Sequence, residues 1–187
     1  MKNLLFPLLL AACLVTGAAA QPKTNDAIRR QIKTIGGDKT FTLSYDAGSR
    51  VSKLMGVTGN FDDSDAGRAG IRAMNFAVGF IYVGETLEKA PERATLAFWV
   101  LTKRPRFATN HNLLVRNESP LDLGPARYVS RERDEMEYLN FEISLGDLAK
   151  IAGSPTGRFQ LGEAEFTFTR SQLKTISDLL LLADPSR

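Results

Sequence analysis

The feature that most constrains this chain is a change of period in its last third, MEYLNFEISLGDLAKIAGSPTGRFQLGEAEFTFTRSQLKTISDLLLL, residues 136–182. Apolar residues there recur at every second position, then at every third or fourth, then at every second, then at every third or fourth again. A period of two belongs to a strand with one buried face, and a period near 3.6 to an amphipathic helix. The stretch therefore reads strand, short helix, hairpin, long helix.

Each joint carries its own local signal. Leu139, Phe141 and Ile143 alternate with Tyr138, Asn140 and Glu142. Ser144 followed by Asp147 resembles a capping box, and Leu145, Leu148 and Ile151 then share a helical face. Gly153 stands where a C-cap belongs, and Pro155 prevents continuation. Phe159 and Leu161 open a second alternation, Gly162, Glu163 and Ala164 form the turn, and Phe166 and Phe168 continue beyond it. Thr169 with Gln172 makes a second capping box. It opens a helix whose apolar stripe is Leu173, Ile176, Leu180 and Ala183, with Leu181 and Leu182 off the stripe.

Upstream, Ile28, Ile32 and Ile35 lie on one face of a helix that Asn25 caps and Gly36-Gly37 ends. Phe41, Leu43 and Tyr45 alternate as a strand, and a further strand is expected near 51–57 with a mobile Gly-, Ser- and Asp-rich loop after it. IRAMNFAVGFIYVG is a long strand in which Gly79 marks a bulge, because the apolar parity changes there. ATLAFWVLT is apolar on both parities, as a central or doubly covered strand is. Leu113 with Val115, and Tyr128 with Val129, suggest shorter strands.

The first twenty residues, MKNLLFPLLLAACLVTGAAA, have one lysine, an uncharged apolar run, and small residues at Ala18 and Ala20. These are the marks of a secretory signal peptide cleaved before Gln21. Leu10-Ala11-Ala12-Cys13 also resembles a lipobox, which would make Cys13 a lipid-anchored first residue. The apolar LVTGAAA that follows Cys13 favours soluble export. Cleavage at 21 lowers the formal net charge of +3 by one and removes the only cysteine, leaving no thiol chemistry and no disulfide framework. So weak and evenly mixed a charge argues against nucleic acid as a partner.

No catalytic constellation stands out. His111 is the only histidine, in the polar run ATNHN, and no nucleophile elbow surrounds a serine. Asp62, Asp63 and Asp65 before Gly67 could offer hard oxygen ligands to calcium, but the spacing of an EF-hand loop fails. Lys103, Arg104 and Arg106 flank Pro105 just after the most apolar strand, and could face phosphates, acidic glycans or anionic lipid; charged strand ends also blunt sheet edges. An enzyme of this sequence would have to work through carboxylates alone, such as Glu135, Glu137 or Glu142, and strand-face carboxylates are ordinarily solvated. Residues 117–119, Asn-Glu-Ser, fit a glycosylation triplet but precede Pro120. No cofactor-binding motif is present.

The segments LLVRNESPLDLGPARY, MEYLNFEISLGDLAKIA and RFQLGEAEFTFTRSQLKTISDLL resemble small exported bacterial β-rich domains of unknown function. The resemblance implies a β-rich domain closed by a helix and carries over no functional residue. AIRRQIKTIGGDK is similar to the helix and double-glycine opening of some exported lipoproteins with lipid-carrying sheets.

The chain is thus expected to be α+β: an antiparallel sheet or sandwich of about seven to nine strands, with an N-terminal helix, a short helix and a C-terminal helix packed on it. The expected layout is a signal peptide at 1–20, a helix at 21–37 and one β-rich domain at 38–187, periplasmic or secreted. The expected role is a non-catalytic module that binds a partner or is structural in the bacterial envelope. The alternative is a carrier of lipid or another apolar ligand. Membrane attachment follows only if Cys13 is lipidated. A filled interior favours the first role and a hollow one the second.

Overall fold

The computed structural model describes residues 22–116, 120–131, 133 and 135–186; the expected signal peptide, Cys13 and the triplet at 117–119 lie outside the described residues. A short strand β1 (Lys23–Thr24) leads into helix α1 (Asn25–Thr34), a hairpin of β2 (Phe41–Asp46) and β3 (Val51–Thr58), and a short helix α2 (Asp63–Ala69). Then come β4 (Ala73–Val83), the two-residue β5 (Thr86–Leu87), β6 (Arg93–Leu101), β7 (Asn112–Val115), β8 (Leu121–Pro125), β9 (Arg127–Arg131) and β10 (Met136–Ser144). Helix α3 (Leu145–Ala152), the hairpin β11 (Arg158–Leu161) and β12 (Ala164–Thr167), and helix α4 (Arg170–Ala183) complete the order.

The strands form two main antiparallel layers. Six pair in the order β2-β3-β4-β6-β10-β9 and four in the order β12-β11-β7-β8, while β1 and β5 pair with each other. The class is α+β, as the sequence predicts. The short strands β1, β5 and β8, which carry little alternation of their own, add to the expected count. The double-sided β6 is central, between β4 and β10. The chain passes from the small sheet to the large one at buried Ala126, between β8 and β9.

Alternation decides which face of the large sheet is buried. Leu54, Phe76, Val78, Phe80, Leu96, Phe98, Leu139 and Phe141 turn inward and are almost wholly buried. Leu113, Val115, Phe159, Leu161 and Phe166 of the small sheet meet them in one core, as do Ile28, Leu148, Ile176 and Leu179 of the helices. Phenylalanines fill the middle. Phe61 packs against Phe76, Phe98, Phe159, Phe166 and Phe168 with ring centroids 5.5–6.5 Å apart, and Phe159 lies 4.4 Å from Phe168. Such pairs contribute about 0.5–1.5 kcal/mol each beyond the area they bury.

Several local expectations change. Helix α1 is capped by Thr24, whose side chain accepts from the Ala27 amide, and Asn25 is its first residue. Buried Asn25 donates to Ser52 Oγ at 2.9 Å and accepts from the Tyr82 hydroxyl, which ties the helix to β3 and β4. The segment after β3 holds Phe61 in the core and forms α2, with Asp62 as its cap. Gly79 is no bulge: Met55↔Gly79, Leu54↔Phe80 and Lys53↔Ile81 continue in one register. A Cβ at Gly79 would collide with the Leu54 carbonyl oxygen and the Met55 sulfur, so glycine is there for close approach. The hairpin turn is two residues, Gly162-Glu163, with Leu161 opposite Ala164 and Gly162 at φ 59°. Left-handed φ suits glycine at the first turn position.

Helix α4 is rotated relative to its expected stripe. Its buried residues are Gln172, Thr175, Ile176, Leu179, Leu182 and Ala183, while Leu173 and Leu180 pack on the flank. The cause lies on β3. A Cβ on Gly56 would stand 2.8 Å from Thr175 Cγ2, so the bare glycine lets the threonine side of α4 settle onto the sheet. Both expected caps are present: Thr169 and Gln172 form a reciprocal capping box on α4, and Ser144 accepts from the Asp147 amide on α3.

The two ends of the described chain are joined. Buried Lys23 donates from Nζ to the Asp184 carbonyl oxygen at 2.6 Å and to Gln31 Oε1 at 2.9 Å. Burial pushes the lysine pKa below its usual range, and the Asp184 charge opposes that shift.

Candidate functional site

The residues singled out from sequence do not converge. Asp62 Oδ1 accepts from the Ser64 amide at 2.7 Å and from its hydroxyl, and these bonds hold its carboxyl below the usual range. Asp65 is buried and accepts from the Thr167 amide at 3.1 Å and from Arg68, tying α2 to β12. Asp63 is exposed. Two of the three aspartates therefore hold helix and strand in place. Among the described residues no group of three or more His, Cys, Asp or Glu side chains is placed to hold a metal ion. Lys103 and Arg104 are exposed, and Lys103 lines a small groove of about 170 Å³ with Pro105, Ser130 and Glu135. Arg106 turns elsewhere, donating from Nε to the Ala69 carbonyl at the end of α2, 3.0 Å away.

The structure brings one unforeseen group together behind that loop. Glu137 lies on the inner parity of β10 and is 1% exposed. Its carboxylate accepts from the amides of Arg106 and Phe107, both at 3.0 Å, and from the Tyr128 hydroxyl at 2.8 Å. His111 stacks on Tyr128 with centroids 5.5 Å apart, and its Nδ1 donates to the Phe107 carbonyl at 3.1 Å. The carboxylate is thus satisfied by backbone and phenol, and it pins the turn after β6. Glu135 pairs with Arg72, and Glu142 with Arg93 at 3.3 Å, both at the surface.

The open ground is the outer face of the large sheet. The helices and the small sheet share the core on its inner side. Pairing sets the outer residues in rows. Asn75, Trp99, Tyr138 and Val129 cross β4, β6, β10 and β9 in one row, and Ala77, Ala97, Asn140 and Arg127 cross in the next. Among the described residues, the large hydrophobics left exposed are Val57, Ile81, Val83 and Val129, at 39%, 64%, 80% and 44%. Every one projects from this face, because Val57 pairs with Ala77, Val83 with Val51, and Val129 with Tyr138.

Two depressions mark the same face. One, of about 440 Å³, is lined by Arg127, Val129, Arg131, Tyr138 and Asn140, with Thr95 and Glu142 at its end. The other, of about 510 Å³, runs between the end of β4 and the segment carrying β5, past Ile81, Val83 and Pro91. Thr95 and Glu142 line both, so the two join. The volumes fall within the range of ligand sites, roughly 300–1,000 Å³. The Arg131 guanidinium lies over the Tyr138 ring, 5.4 Å from its centroid.

No family model, curated protein or solved structure matches the chain. The signal of this face is spread across four strands, so no single segment of the sequence carries it. The one local trace is RYVSR, where Arg127, Val129 and Arg131 share a parity opposite to Tyr128. Among the described residues no helix is long and apolar enough to cross a membrane.

Proposed function

We propose that this chain is an exported, non-catalytic binding module of the bacterial envelope, and that its working surface is the outer face of the large sheet. The observation that carries the reading is that Ile81, Val83 and Val129 line a continuous pair of grooves on that one face, from which Val57 also emerges. Exposed apolar side chains scattered over a surface are ordinary, whereas their collection on one sheet face marks an interaction site. The polar groups that could do chemistry are held elsewhere: Glu137 by two amides and a phenol, and His111 by a carbonyl and a ring. The interior supports this role over the carrier role, since phenylalanine rings occupy the space between the layers. None of the three grooves is lined by a helix residue, so none lies between sheet and helix.

The test is site-specific photocrosslinking in bacterial envelope extract. A benzophenone side chain in place of Val129 should give light-dependent adducts, and one in place of Lys174, on the exposed side of α4, should not. Equal adduct yield at the two positions, or none at 129, would overturn the reading.

A further inference from the structure

We infer that the Arg127–Arg131 trough binds a linear polysaccharide bearing carboxylates, of the uronic-acid kind. The inference rests on the outer face being a binding surface and names the chemistry of what it takes. Arg127 and Arg131 stand four positions apart on the same face of β9, on either side of Val129, and are exposed. Among the described residues neither is ion-paired, and Tyr138 holds the Arg131 guanidinium over its ring. Two arginines lining one groove suit an anionic ligand, and each planar fork matches a carboxylate.

The rest of the lining decides which anion. Thr95, Tyr138 and Asn140 offer a hydroxyl, a phenol and an amide, which suit a ligand rich in hydroxyl groups. Glu142 stands at the far end of the trough, held only by a surface pair with Arg93. A carboxylate there repels a densely charged polyphosphate, yet it accepts hydrogen bonds from sugar hydroxyls. Val129 supplies an apolar patch for the C–H face of a sugar ring. The trough continues into the second groove past Thr95 and Glu142, so a chain of several units has room to run. The second groove adds Lys89 and Arg93 to the two arginines, beside Glu88, Glu92 and Glu142, so its charge is mixed where a nucleic acid would need a continuous basic track.

Titration calorimetry of the purified chain with a galacturonic acid hexamer tests this, against the neutral galactose hexamer and a short DNA duplex. The acidic hexamer should bind saturably. Arg127→Ala and Arg131→Ala should each weaken it by about ten-fold or more, with thermal melts unchanged because both side chains are exposed. Lys174→Ala, on α4, should bind as the parent does. Absence of binding by the acidic hexamer, equal affinity for the neutral one, tighter binding of the duplex, or indifference to both arginine substitutions would each overturn the inference. Adducts at position 129 without uronate binding would leave the surface reading standing and remove the sugar alone.

Discussion

At the scale of single residues, Glu137 shows how one charge can fix a stretch of chain. It faces inward between Leu139 and the turn after β6, and its oxygens take the amides of Arg106 and Phe107 together with the Tyr128 hydroxyl. Hydrogen bonds to a charged group contribute about 1.5–3 kcal/mol each, and a buried donor left alone costs about as much. Glu137→Ala should therefore destabilise the fold by about 3 kcal/mol or more, and Glu137→Gln by less, since it keeps one acceptor oxygen. Denaturant melts measure both, and faster proteolysis near residue 105 in the alanine variant would localise the loss. As a strand-face carboxylate Glu137 is expected in solvent, but it shares the parity of Leu139 and Phe141 and the structure buries it. Its partners were not visible, because they come from more than twenty residues upstream and from the next strand.

At the scale of elements, the segments with strong period and caps were legible and their rotation was not. The caps at Ser144 and Thr169 stand where the residue types place them, since a cap is a contact within one turn of chain, though only Thr169 completes the reciprocal box. Which side of α4 meets the sheet depends on Gly56, over a hundred residues away, and no period in the helix encodes that. The rotation predicts a contrast between neighbours. Leu179→Asp, at a position 0% exposed, should abolish cooperative folding. Leu180→Asp, on the flank, should leave a folded protein with a lowered melting temperature. Circular dichroism melts of the two variants decide it, and equal damage would contradict the observed facing. Helix α2 escaped notice because seven residues rich in Asp and Gly carry no apolar stripe, and Phe61 because one ring in a polar loop has no period.

At the scale of the whole molecule, the large sheet has one face spent on the core and one left open, and three aspartates at turns and helix starts make the fold sensitive to acid. Asp46, Asp62 and Asp147 each hold a proton less tightly than an ordinary aspartate, chiefly through hydrogen bonds from Ser49, Ser64 and Lys150. Their folded values lie below the 3.8 of the free side chain, so the unfolded chain binds protons more readily. Stability from these groups is fully present above that value and is lost as pH falls through the folded ones. Melting temperature should fall below about pH 4, and replacing all three with asparagine, which still caps and turns, should flatten the acid limb. The open face itself was beyond reach of the sequence, since its rows join residues from four strands whose order is not written locally. A different property follows from the bond between Lys23 and the Asp184 carbonyl. Because the first and last described residues lie close together, residues 22–186 can be spliced as a cassette into a loop of a host protein, or joined by a short linker and opened anew at the Gly162-Glu163 turn, with every strand keeping its neighbours.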